Sequence, residues 1–160
     1  MNVQVIQVAP VRKSIVVKAP QKHAFDVFAA GFDSWWPKSH HIGRSEMKRA
    51  VIEPAEGGRW YEKGEDGSEC DWGRVLAWEP PSRLVLSWHI NAKFQPDQSV
   101  HSEVELRFTA ENEQTTRVEL EHRITAPDAE TLRAAVDSPQ GWGSLLEIFA
   151  IKAALSNSRE

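Results

Sequence analysis

The sequence predicts an α+β domain in which helices cover one face of a curved antiparallel sheet. Two observations lead to this prediction: alternating apolar and charged residues mark successive strands, and a long apolar helical pattern closes the chain. The chain has 160 residues. We therefore expect a single domain over residues 1–160, with a core of about 11–155 and flexible ends.

The first quarter of the chain predicts a strand, a helix and a bend. Residues 11–17 alternate between apolar and polar side chains, which is typical of a strand with one buried face. Pro20 suits the first position of a helix over residues 20–30, and Gly31 suits the position just past its end. Pro37 disfavours helical backbone at the preceding residue, so the two tryptophans of SWWPKSHHIG lie on a short turn or bend.

The middle of the chain predicts antiparallel strands joined by tight turns. The stretch GGRWYEKGEDGSECDW indicates a hairpin that turns at Asp66-Gly67, and WGRVLAWEPPSRLVLSW indicates a second that turns at Pro80-Pro81. In SEVELRF and TRVELEHRI, apolar residues alternate with charged ones. These two strands should therefore have one buried face and one solvent face, where opposite charges can pair across strands.

Helices are predicted at the end of the chain. A short helical or irregular piece should begin at Ala126-Pro127-Asp128. Ser138-Pro139 resembles an N-cap followed by proline at the first helical position. The apolar residues from Trp142 to Leu155 form a wide arc, so we expect this long helix to be well buried against the sheet.

Composition and charge exclude several classes of function. The net charge is −4, and the 19 basic residues are interspersed with the 23 acidic ones, which argues against a nucleic-acid partner. The single cysteine, Cys70, cannot form an internal disulfide. The first residues show no signal-peptide pattern, and no run approaches the roughly 18 apolar residues of a membrane span. We expect a cytoplasmic monomer or homodimer without a membrane partner.

Several of these segments together resemble a known superfamily. The matching pieces are AFDVFAAGFDSWWPKSHHIG, EGGRWYEKGEDGSECDWGRVLAWEPPSRLVLSW, TRVELEHR and GWGSLLEIF, and GRVLAWEPPSRLVLSW is the most specific of them. From about Val11 to Leu155 the chain resembles the SRPBCC (START-like) superfamily. The branch it resembles is that of the C-terminal domain of the activator of the 90-kDa heat-shock protein ATPase.

The resemblance implies a fold and a range of functions. The fold is the helix grip, in which a curved antiparallel sheet of about six to seven strands wraps around a long C-terminal helix and leaves a cavity between them. Members of the superfamily bind lipids, sterols, polyketides or other apolar molecules, and some are cyclases or hydrolases. We expect a small apolar or aromatic ligand, with an enzyme acting on such a ligand or a chaperone-associated ATPase-activator module as alternatives.

The seven tryptophans suggest an aromatic wall for such a cavity. If the face that carries Leu84 is inward, Trp88 points into the grip, and Trp142 opens the last helix between Gly141 and Gly143. A purely structural role in the core is the alternative for each ring. The predicted ligand-binding residues are Trp36, Trp60, Glu62, Trp72, Trp88, Leu106, His122, Trp142 and Leu146.

Two titratable residues are candidates for acid–base chemistry. Glu62 shares the strand face of Trp60, so it is either a polar anchor or general base in the cavity, or a water-solvated residue at the cavity mouth. His122 shares the apolar face of Val118 and Leu120, so it either titrates near neutral pH or is a hydrogen-bonded core histidine.

Metal and nucleophile motifs are not found. His40 and His41 are adjacent, so their side chains point apart in an extended segment, and no further spacing completes a metal site. No nucleophile elbow or phosphate loop occurs, and the acidic neighbours of Cys70 should raise its thiol pKa. We expect no metal and no cofactor.

Overall fold

The computed structural model describes residues 6–157 and has eight strands and four helices within that range. The predicted flexibility of the chain ends concerns residues that lie mostly outside it. The elements in chain order are β1 (Ile6–Gln7), β2 (Val11–Val17), α1 (Gln21–Phe28), α2 (Phe32–Trp35), β3 (Met47–Ile52), β4 (Arg59–Gly64), β5 (Glu69–Glu79), β6 (Arg83–Trp88), β7 (His101–Asn112), β8 (Thr115–Ala126), α3 (Ala129–Val136) and α4 (Trp142–Asn157).

The strands form one antiparallel sheet in the order β1-β8-β7-β6-β5-β4-β3, and β2 pairs with β8 alongside β1. Neighbours along most of this path are consecutive in sequence. Tight turns join β4 to β5, β5 to β6 and β7 to β8, whereas a longer loop over residues 89–100 joins β6 to β7. The sheet curls around α4, which packs against β2, α1 and α2. The predicted α+β helix-grip fold is therefore confirmed, including the turns at Asp66-Gly67 and Pro80-Pro81.

The two long strands β7 and β8 show why the sheet has one apolar face. Val104, Leu106 and Phe108 are buried, and so are Val118 and Leu120 on the paired strand. The outer face carries the predicted charge pairs: Arg83 and Arg123 each donate to Glu105 at 2.9 Å, and Arg123 also donates to Glu103 at 3.0 Å. Glu105 is itself buried, whereas the more exposed pair of Arg123 and Glu103 contributes up to about 1 kcal/mol.

The first two helices differ from the prediction by small shifts. Pro20 is the residue before α1, and its carbonyl accepts the first helical hydrogen bond, from the amide of Ala24 at 2.9 Å. Gly31 lies at the junction, where its amide donates to Asp26 and its carbonyl accepts from Ser34 as α2 begins. Trp36 has extended backbone, as Pro37 predicts.

The start of α4 is a correction. Ser138 is not an N-cap: its carbonyl accepts from the amide of Gly141 at 2.8 Å and closes a turn, and the helix begins only at Trp142. Gly141 passes close to the end of α3, where a β-carbon on it would lie 2.0 Å from the carbonyl oxygen of Val136. The chain therefore makes a turn between Ser138 and Gly141 before α4 begins. The Ser138-Pro139 pattern alone does not predict this turn.

The wide apolar arc of α4 is only partly buried. Leu145, Leu146 and Phe149 face the sheet, whereas Ile148 and Ile151 are 40% and 61% exposed. The expectation that the whole arc is covered is therefore wrong, because α4 packs along one side of a curled sheet rather than between two layers. Among residues 6–157, no helix is both long and apolar enough to cross a membrane.

Candidate functional site

A cavity of about 690 Å³ lies at the end of the grip where α4 begins. Its walls come from the segment after α2, the end of β6 and its following loop, the last turn of α3, and the first turn of α4. The aromatic lining residues are Trp36, Trp88, Phe94 and Trp142, and the aliphatic ones are Ile42, Ala135, Val136 and Leu145. The polar lining side chains are Ser39, His40, His41, Ser138 and Gln140.

The three indole N–H groups of the cavity wall are all bound to protein atoms. Trp36 donates to the carbonyl of His40 at 3.3 Å, and Trp88 donates to the carbonyl of Ile90 at 3.0 Å. Trp142 donates to Nδ1 of His122 at 3.0 Å. Their hydrogen-bond donors are therefore not directed into the cavity, and the small part of each indole that stays exposed, 2% to 5%, is apolar ring.

His122 lies behind the cavity and links Trp142 to Trp88 through hydrogen bonds. An indole N–H can only donate, so Nδ1 of His122 is the acceptor and Nε2 carries the proton, which it donates to Oγ of Ser102 at 3.1 Å. Ser102 in turn donates to the carbonyl of Trp88 at 2.7 Å. Burial, together with the charge of Arg123, lowers the pKa of His122 to about 3, so the ring is neutral at pH 7.

This buried imidazole should make the protein less stable in mild acid. The unfolded chain binds a proton at His122 near pH 6.5 but the folded chain only near pH 3, so its stabilising contribution is complete above pH 6.5 and is lost as the pH falls. Between pH 7 and pH 5 the loss is about 2 kcal/mol. Urea unfolding at both pH values should show this loss in wild type and not in His122→Asn. Equal losses in the two proteins would contradict the assignment.

Glu62 lies behind the segment that carries the two histidines. Its side chain is 1% exposed, and Oε1 accepts hydrogen bonds from the amides of Ile42 and Gly43 and from Nε1 of Trp72 at 3.0 Å. Its other oxygen, Oε2, is buried without a partner among the described residues. The expectation that water solvates Glu62 at the cavity mouth is wrong, because residues 42–43 and Trp72 cover the carboxylate.

All the tryptophans except Trp78 form one contiguous aromatic cluster. Ring centroids are 5.3 Å apart for Trp36 and Trp72, 5.3 Å for Trp60 and Trp88, and 6.3 Å for Trp88 and Trp142. Trp35 packs against Phe28 and Phe149 at the helix junction, while Trp36 reaches the cavity. Of the two adjacent tryptophans, only Trp36 therefore lines the cavity.

The predicted ligand-binding residues divide into two layers. Trp36, Trp88 and Trp142 line the cavity. The other six are buried behind it, in the cluster, in the sheet or on the covered side of α4; these are Trp60, Glu62, Trp72, Leu106, His122 and Leu146. The structure therefore brings the predicted residues into one region, but only the first three form the wall.

Several wall residues were not predicted. His40 and His41 were considered from sequence only as metal ligands, yet both line the cavity. Phe94, in the loop after β6, is 54% exposed at the cavity and has a positive φ of 59°. No periodic pattern marks such loop residues, since their position depends on how the loops fold over the end of the sheet.

Cys70 and the histidines show no sign of nucleophilic or metal chemistry in the described range. Burial and the nearby charges of Glu62 and Asp71 raise the pKa of the Cys70 thiol to about 11, so it stays protonated at neutral pH. Within residues 6–157, no group of three or more His, Cys, Asp or Glu side chains is arranged to hold a metal ion.

A protein-family sequence model matches most of the chain. Residues 18–154 match the family described as Activator of Hsp90 ATPase homolog 1-like protein. The chain belongs to this family. No curated protein sequence matches it.

Solved structures of related proteins have the same fold as this chain. An anthrahydroquino-gamma-pyrone synthase, Txn09, is 37% identical over 91% of this chain and 97% of its own, with a TM-score of 0.60. CalC from Micromonospora echinospora, a self-sacrificing resistance protein, is 30% identical over 95% of this chain and 98% of its own, with a TM-score of 0.69. The HSP90 activator PFC0360w from Plasmodium falciparum is 18% identical over 72% and 73% of the chains, with a TM-score of 0.51, and shows the fold alone.

Proposed function

We propose that the protein binds a small apolar, aromatic molecule in the cavity between the sheet and α4. The observation that carries this proposal is the wall of Trp36, Trp88 and Trp142, whose N–H groups are all bound to the protein, so that only ring carbon atoms of these side chains, which are 5%, 5% and 2% exposed, can contact an occupant. A volume of about 690 Å³ lies within the range of sites that hold small organic ligands.

The related proteins support this proposal. The relative that is 37% identical is named as a synthase of an anthrahydroquino-gamma-pyrone, a name that denotes fused aromatic rings. That likeness also favours a second candidate, an enzyme that acts on such a molecule. The chaperone-associated role rests on a likeness of 18% to an HSP90 activator, so it stays a prediction from sequence, to be checked by the chaperone's ATPase rate.

Filling the cavity should abolish binding. Ala135 lines the cavity on α3, whereas its neighbour Ala134 is exposed and does not. Because an indole at Ala135 would occupy the space for the ligand, Ala135→Trp should raise the Kd for 1-methoxypyrene at least about tenfold. Equilibrium dialysis measures this value without relying on protein fluorescence.

Ala134→Trp provides the matched control, because it adds the same side chain one residue away on the same helix. Its Kd should stay within about twofold of wild type. If wild type does not bind the aromatic probe, or if both variants bind it as tightly as wild type does, the cavity is not the binding site.

A further inference from the structure

The polar chemistry of the cavity is concentrated in a few side chains. None of its lining residues, all within the described range, is Lys, Arg, Asp or Glu. The three indole N–H groups are already bound to the protein. An occupant therefore meets no acidic or basic Lys, Arg, Asp or Glu side chain on these walls, and its directional side-chain contacts come from the serines, Gln140, His40 or His41.

The two histidines differ in whether a ring nitrogen is left without a hydrogen-bond partner among the described residues. In His40, Nε2 lies 3.2 Å from the carbonyl of Gln140 and Nδ1 lies 3.4 Å from Oγ of Ser39, so both nitrogens have partners. In His41, Nδ1 lies 3.0 Å from the carbonyl of Gly43. A carbonyl only accepts, so Nδ1 carries the proton of the neutral ring, and Nε2 is left as an acceptor that no described residue engages.

The ring of His41 contacts a backbone segment that a buried group anchors. Glu62 accepts from the amides of Ile42 and Gly43, the latter at 2.8 Å, and so anchors the peptide segment whose carbonyl holds Nδ1 of His41. His41 is itself an exposed side chain, and the fold holds its ring through this one contact at Nδ1. Glu62 is a positioning residue in this arrangement, since it does not line the cavity.

We propose that Nε2 of His41 accepts a hydrogen bond from a hydroxyl group of the occupant, and that the ligand class is a neutral fused-ring phenol or enol. This inference rests on the proposed function, because the rings must first stack on the indole wall. The aromatic body lies against Trp36, Trp88 and Trp142, and the hydroxyl-bearing edge faces the segment that carries His41. A phenol fits this acceptor because its O–H donates, whereas a methyl ether of the same skeleton has no proton to donate.

The test compares 1-hydroxypyrene with 1-methoxypyrene by equilibrium dialysis. In wild type the hydroxyl compound should bind about fivefold more tightly, the effect of one net hydrogen bond. His41→Leu should abolish this preference, so that the two probes bind with the same Kd within about twofold. His41→Gln, whose amide oxygen can accept, should keep part of the preference.

His101→Leu is the matched control, because His101 is exposed on β7 and does not line the cavity. Its preference should equal that of wild type. If both probes bind and the preference is unchanged in His41→Leu, the role of His41 is overturned while the proposed function stands. If neither probe binds to wild type, the proposed function fails and this inference fails with it.

Discussion

Glu62→Ala is expected to lower the free energy of unfolding by about 3–5 kcal/mol. The substitution removes the acceptor of three donors, the part-buried amides of Ile42 and Gly43 and the buried Nε1 of Trp72, and leaves them without a protein partner. The loss exceeds that of an ordinary polar substitution because the carboxylate joins the cavity wall to the sheet. Urea denaturation at pH 7 measures it.

Amide hydrogen exchange provides the local readout for the same variant. The amides of Ile42 and Gly43 should exchange at least about tenfold faster in Glu62→Ala than in wild type, after correction for global stability. Glu62→Gln keeps an oxygen that can accept these bonds, so it should cost only about 1 kcal/mol. A cost below about 1 kcal/mol for Glu62→Ala would show that the carboxylate does not anchor this segment.

Gly73→Ala is the second substitution with a large expected effect, a loss of about 3 kcal/mol or more in unfolding free energy. Gly73 lies where β5 changes its partner from β4 to β6, and the ladder is irregular on both sides of it. A β-carbon there would lie 1.8 Å from the carbonyl oxygen of Ser87. Since that atom belongs to the backbone of β6, relief requires the whole strand to move.

Gly143→Ala is the control for the glycine substitution. A β-carbon at Gly143 would have no neighbour within 4 Å, and this residue lies in the first turn of α4. The change should therefore stabilise the protein by up to about 1 kcal/mol, since alanine favours helix more than glycine does. Thermal or urea unfolding should separate the two variants in opposite directions. Equal stabilities would refute the close strand contact at Gly73.

The sheet could be predicted from sequence because its signals are local. Alternation in β7 and β8 marks the buried face directly. The dipeptide Asp66-Gly67 indicates a tight turn from two adjacent residues alone. The start of α4 could not be predicted in this way. Ser138-Pro139 satisfies the local rules for a helix start, but the close approach of Gly141 to the carbonyl of Val136 forces one more turn.

The candidate site could also be predicted only where it depends on local backbone geometry. Strand parity places Trp88 on the inner face, and the bend at Pro37 places Trp36 toward the cavity, so both follow from backbone geometry. His41 and Phe94 do not, because they lie in loops whose positions depend on contacts distant in sequence. The role of Glu62 was also hidden, since its donors are backbone amides about twenty residues earlier in the chain.

The contiguous tryptophan cluster has an optical consequence. Indoles with ring centroids 5.3 to 6.3 Å apart exchange electronic excitation, so the cluster emits as a coupled unit and not as separate fluorophores. A molecule that quenches Trp36 alone will dim the emission of its buried neighbours as well. Intrinsic fluorescence should therefore detect sensitively whether the cavity is occupied, but it should not show which tryptophan the bound molecule contacts. Near-ultraviolet circular dichroism should show coupled indole bands that change on binding.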